Sequence, residues 1–208
     1  MTDLEEKLLV MCTDNNFCKE IAIELIKNVN LNQELPDIDY PESRTSFLTV
    51  AVQNKNIDML RILLESGANP NFVLYEDKPN YRENPFWDLQ YNGWGETAEE
   101  DEIGLEMAQL MLDYGANPNI FVEDEDLFSW VCCAVFNDDY DDLWEYRSRF
   151  FILLIAYGGK NDYCKPKIYK EFDKANMSQY KFNLVLCADK YHFTGEIVDE
   201  KYDVVAEI

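Results

Sequence analysis

With 208 residues and a formal net charge of -23, the chain is a poor candidate for holding nucleic acid or lying on an anionic membrane, since both tasks need Lys and Arg. Its 47% hydrophobic and 28% charged residues argue against disorder and fit a folded chain with one sizeable core or a short repeat array. The 41 Asp and Glu against 18 Lys and Arg favour encounter with basic proteins, or serve solubility alone.

Along the chain, a first unit is expected over Leu4–Leu35, with a helix near Glu5–Thr13 and a second near Cys18–Asn28. Asn30-Leu31-Asn32 follows, with Val29 in place of a helix-ending glycine. The second unit, Ser46–Phe72, is the clearest. Ser46 caps a short helix that runs to Val52, and Asn54-Lys55-Asn56 makes a turn. Ile57 to Ser66 is a second helix, with Met59, Leu60, Leu63 and Leu64 on one stripe. Gly67 supplies the left-handed helix end, and Pro70 prevents continuation.

The third unit, Asn84–Ile120, opens on Asn84-Pro85-Phe86-Trp87 and carries the apolar stretch Met107 to Tyr114. Two insertions lengthen the step from Asn71 to Asn119: a finger after the second unit, Phe72–Glu83, and a loop at Asn92–Glu102, in which five of the seven residues from Glu96 to Glu102 are acidic. The fourth unit, Asp126–Asp162, has an acidic bulge at Asn137–Asp142, and the finger before it carries Glu123 to Asp126. Beyond it, Lys165-Pro166-Lys167 breaks the pattern and Ile168–Asn176 reads as a short helix. Apolar and aromatic runs at Tyr180–Cys187, Tyr191–Val198 and Tyr202–Ile208 read as a small β-meander. Such a meander is marginal alone and is expected to cap the last unit; the alternative is an open edge that recruits a strand.

Gly-Ala-Asn-Pro-Asn stands at Gly67–Asn71 and again at Gly115–Asn119, each time after an apolar helical stretch, and Ile152 to Asp162 is a decayed third copy. With Ser46, Leu48 and Ala51 in register, this pattern resembles the ankyrin repeat, whose period is near 33 residues. Phe47 stands where that family prefers Pro, and Thr49 where it prefers His, so a looser turn is expected there. The resemblance implies a mainly α fold, an ankyrin-type helical solenoid of about four repeats over 1–162; the runs beyond it are read as a β-meander cap over 163–208. It also implies a protein-binding module that recognises its partner through finger tips and the inner-helix surface.

Signals for catalysis are thin. His192 is the only histidine, which rules out a multi-histidine metal site. There is no Gly-x-x-x-x-Gly-Lys, Gly-x-Gly-x-x-Gly or Gly-x-Ser-x-Gly motif. The acidic clusters lack the spacing of a calcium loop. No catalytic residue, metal or cofactor is expected. The six cysteines, Cys12, Cys18, Cys132, Cys133, Cys164 and Cys187, form no Cys-x-x-Cys pair and fit a reducing compartment. The acidic start Met1–Glu6 lacks a basic and then apolar signal, so a cytoplasmic location is expected. Asn176-Met177-Ser178 matches a glycosylation acceptor, which is without meaning there.

Long insertions in repeat arrays tend to decorate the binding face. Tyr75, Tyr81, Trp87, Tyr91 and Trp94 are therefore candidate anchors. Glu99, Glu100, Asp101, Asp124, Asp139 and Asp142 form the candidate acidic rim. For Trp87 and Trp130 the opposing reading, burial in the core, is the stronger one. The expected partner is a basic protein, and the chain is expected to be a monomer. Two sharper alternatives stand beside this: an acidic nucleic-acid mimic, and an immunity-type inhibitor of a toxin domain, a role that small acidic ankyrin-like proteins in bacteria can take.

Overall fold

The computed structural model describes residues 1–75, 77, 83–92, 97–122, 125–128, 130, 131, 144–159, 196–199 and 202–207. The chain divides into two compact units, one chiefly Met1–Asn117 and the other chiefly Glu125–Ile208.

The first unit is a series of helix pairs. Helix α1 (Asp3–Thr13) opens on a reciprocal cap: the Glu5 N–H donates to Thr2 Oγ1, and the Thr2 N–H donates to Glu5 Oε2 at 2.6 Å. Helix α2 (Lys19–Ile26) follows. Ser46 caps helix α3 (Phe47–Gln53) by accepting from the Thr49 N–H at 3.1 Å. The expected looseness at Thr49 is offset locally: its hydroxyl lies 2.8 Å from that of Ser46, and both are buried. Phe47, in the place of the usual proline, is fully buried. Helix α4 (Ile57–Glu65) buries Met59, Leu60, Leu63 and Leu64, as the stripe requires, and Ile62 besides. Helices α5 (Pro85–Asn92) and α6 (Ala98–Asp113) make the third pair. The first helices pack in the order α1, α3, α5, and the second helices in the order α2, α4, α6.

Helices α4 and α6 end alike. The Ala68 N–H reaches Leu63 O at 3.0 Å and the Ala116 N–H reaches Met111 O at 2.9 Å. Both closures need the left-handed glycines Gly67 (φ 94°) and Gly115 (φ 88°). In the second unit helix α7 (Trp144–Ala156) closes the same way, with the Gly159 N–H 2.7 Å from Leu154 O. Gly159 replaces alanine here for lack of space: a Cβ would lie 2.6 Å from Leu154 O.

Within the first unit an asparagine ties each helix pair to the next. The Asn32 amide donates to Gly67 O at 3.2 Å, and its Oδ1 accepts from the Asn69 N–H at 2.6 Å. Asn71 repeats this on Gly115 O at 2.8 Å and the Asn117 N–H at 2.7 Å. Within the second unit Asn119 donates to Gly158 O at 3.5 Å. Leu35, Leu74 and Val122, each three residues after its asparagine, are buried. This register corrects the reading of the first unit. Asn32 matches Asn71, so Asn28, not Val29, stands in the place of Gly67.

A second correction concerns the acidic insertion. Glu99, Glu100 and Asp101 are the first turn of α6 rather than a loop. Thr97 caps that turn, accepting from the Glu100 N–H at 3.3 Å, and carboxylates at a helix N-terminus are favoured by its dipole. Thr97→Ala should therefore cost about 1 kcal/mol of stability, measured by thermal unfolding.

In the second unit Leu127, Phe128, Trp130 and Val131 are helical. With α7 they form a core in which Phe128 and Phe151 lie 5.1 Å apart between ring centres. Trp130 is half-buried, with the Arg147 guanidinium 5.1 Å from its ring centre. Two strands, Glu196–Asp199 and Tyr202–Glu207, pair antiparallel, with an irregularity between Ile197 and Asp199. Residues 132–143, 160–195 and the expected first strand of the meander lie outside the described residues.

Candidate protein-interaction surface

Between the first two helix pairs the chain makes a finger. Strands β1 (Leu35–Pro36) and β2 (Arg44–Thr45) pair antiparallel, with Leu35 opposite Thr45 and both buried at the base. The tip is folded on itself. The Asp37 carboxylate accepts from the Asp39 and Tyr40 N–H groups at 2.8 and 2.9 Å. The Ser43 N–H donates to Tyr40 O at 2.7 Å, and the Asp37 N–H to Ser43 O at 3.0 Å. With Asp37 bonded within the loop, the tip displays Ile38 and Tyr40, which are 42% and 72% exposed. A shallow cleft of about 300 Å³ in the same finger is lined by Glu34, Pro36, Pro41, Glu42 and Arg44 among others.

A second finger starts at the bridge between Leu74 and Glu83, where the Leu74 N–H donates to Glu83 O at 2.8 Å. Arg44 staples the two fingers together. Its Nη1 lies 2.6 Å from Glu34 Oε2 and 2.7 Å from Asp77 Oδ1. Hydrogen bonding to Asp77, and then to Glu34, raises the pKa of the guanidinium further and keeps it charged. Tyr75 completes the joint. Its hydroxyl accepts from the Arg44 N–H at 2.6 Å, its N–H donates to Glu34 at 2.5 Å, and its ring centre lies 5.3 Å from the guanidinium carbon. Tyr75 holds a left-handed backbone (φ 56°), a strained conformation for an aromatic residue that these contacts stabilise.

Residues 46–73, comprising α3, α4 and the approach to the second finger, match the family model for the ankyrin repeat. Over these residues the chain is similar to an ankyrin repeat. No curated protein matches the chain. Ankyrin repeats generally mediate protein–protein interaction. Among the described residues no helix is long and apolar enough to cross a membrane, and no group of His, Cys, Asp and Glu is placed to hold a metal ion.

Seen from the ankyrin repeat, the sequence candidates divide. Tyr75 is half-buried and spent on joining the fingers. Trp87, on α5 of the following pair, is half-buried, so it is neither the core residue nor the exposed anchor in full. Tyr91 lies in the last turn of α5. Glu99 is exposed, Glu100 and Asp101 are partly so, and Glu100 lies 3.7 Å from Lys55 Nζ. Tyr81, Trp94, Asp124, Asp139 and Asp142 lie outside the described residues.

Asp88 on α5 was not among the sequence candidates. Burial, with the charge of Glu83 adding, pushes its carboxyl up to about 7. Burial likewise pushes the Cys12 thiol far up, which leaves it inert, whereas Cys18 is exposed. Ile38, Tyr40 and Arg44 were also missed. They fall between the expected first and second units, in a stretch whose alternation of Asp37, Ile38, Asp39 and Tyr40 between Pro36 and Pro41 was the available signal.

Proposed function

We propose that the chain is a non-enzymatic ankyrin-type module of about four repeats, capped by the C-terminal strands, that binds a basic protein in the cytoplasm as a monomer. One observation carries this reading. The asparagine tie seen at Asn32, before the matched ankyrin repeat, recurs at Asn71 near its end, and in part at Asn119. A recurring junction supports a series of similar units whose fingers offer one partner several contacts in a row. The basic character of the partner is supported by the charge of -23, which favours encounter with cationic surfaces. The same charge supports a narrower version, an inhibitor that covers a basic toxin domain.

Affinity capture from extract of the source cells, at low and at moderate salt with mass spectrometry, tests the proposal. A single basic protein retained at stoichiometric yield is the expected result. Scattered, salt-sensitive binders would remove the basic-partner reading, and the absence of any protein ligand would remove the binding role itself.

A further inference from the structure

The geometry points to the tip of the first finger, 37–43, as a docking element for an arginine- or lysine-containing segment of a partner protein, with Tyr40 and Ile38 as the anchor and Asp39 and Glu42 as the counter-charge. This rests on the protein-binding reading above and places it at one finger.

Four features converge there. Tyr40 is the most exposed of the large hydrophobic side chains among the described residues, and Ile38 stands two positions away on the same tip. The tip is built to hold them out: the Asp37 carboxylate and the Ser43 backbone close the loop, so little order remains to be lost on binding. Its base is fixed as well, since Arg44 is held by Glu34 at the start of the finger and by Asp77 in the next. Lastly, the charge is one-sided. Over 34–44 the carboxylates of Glu34, Asp37, Asp39 and Glu42 face a single guanidinium. Arg44 is taken up by Glu34 and Asp77, and Asp37 by its own loop, whereas Asp39 and Glu42 are exposed.

The chemistry of the occupant follows. An exposed phenol ring attracts a cation over its face. The cleft of the same finger, walled by Pro36 and Pro41, holds Arg44 paired with Glu34 and, besides them, Glu42; it accepts the apolar stem of a long basic side chain while its head meets the Glu42 carboxylate. A neutral apolar partner would leave the two carboxylates unpaired, and an acidic one would be repelled.

The test uses the full chain and an alternating Arg–Gly peptide, with its Glu–Gly counterpart as control, followed by titration of backbone amide signals. Wild type should bind the basic peptide, with shifts concentrated over 37–43. Tyr40→Ala, and separately Asp39→Asn with Glu42→Gln, should each weaken binding by about tenfold. Glu6→Gln with Glu65→Gln makes the same change in charge on exposed parts of α1 and α4, and should weaken it by less than about twofold. Equal weakening by tip and control variants, or shifts spread over the molecule, would overturn the docking element while leaving a basic partner in place. No binding of the basic peptide by wild type would overturn both the docking element and the basic-partner reading. Unchanged amide spectra outside the tip show that the variants remain folded.

Discussion

Asn56→Ala is expected to lower the free energy of unfolding by about 3 kcal/mol, because one buried side chain serves two helices. Its Oδ1 accepts from the Met59 N–H at 3.0 Å and caps α4. Its amide donates to the carbonyls of Met11, Cys12 and Asp14, at 3.2, 3.3 and 3.0 Å, and so closes the end of α1. Loss of the cap costs about 1 kcal/mol. Stripping carbonyl oxygens of their donor in a site 1% exposed adds about 2 kcal/mol more. In urea, with a slope of about 2 kcal/mol per molar, the midpoint should fall by about 1.5 M. Asn54, two residues earlier and exposed, bonds only Val50 O, and its alanine variant should lose about 0.5 kcal/mol. Asn56→Asp separates the two roles: it keeps the cap acceptor but sets a carboxylate against three carbonyl oxygens, so it should not rescue stability. A midpoint for Asn56→Ala close to that of Asn54→Ala would show that the bridge between helices is energetically idle.

The second large effect is on pH dependence. Asp88 has its carboxyl pushed up to about 7, against an ordinary value of 3.8. Between those values the folded chain holds a proton that the unfolded chain has released. Stability therefore falls as pH rises from about 4 to about 7, and the loss is complete above 7. The full separation corresponds to about 4 kcal/mol, and because Asp88 keeps part of its surface in water, about 2 kcal/mol is expected. Asp88→Asn cannot ionise and escapes the loss. It should be more stable than wild type by about 2 kcal/mol at pH 8 and equal to it near pH 4. The difference between the two chains isolates Asp88 from the other carboxylates, whose mutual repulsion also eases in acid. Parallel pH profiles for the two would dismiss the shift.

The helix pairs were legible because their signals are local. Ser46 before an apolar run, the Met59-Leu60-Leu63-Leu64 stripe and Gly67 after it each state one end or one face of a helix, and they agree with one another. The start of α6 was equally local but was read against its composition. A run of Glu and Asp suggested a solvated loop, whereas Thr97 followed by Glu100 is a capping pattern and the acids suit a helix N-terminus. The strands of the first finger are two residues long, too short to show periodicity, so its one signal was the alternation of Asp37, Ile38, Asp39 and Tyr40 at the tip. Tyr75 shows a different limit. Its neighbours in sequence pointed to a surface anchor, but its use was settled by Glu34 and Arg44, far away along the chain, which only the folded backbone brings within reach.

The asparagine junctions have a consequence for how this chain can vary. The Asn71 side chain bonds the end of α6, at Gly115 O and the Asn117 N–H. The step from one helix pair to the next is thereby set at the helix ends. Segments inserted between Asn71 and Gly115, whether at a finger or between helices, change length without changing that step. Grafting a longer or shorter finger there should leave the neighbouring pairs in place, so that recognition can be rewritten without redesigning the scaffold that presents it.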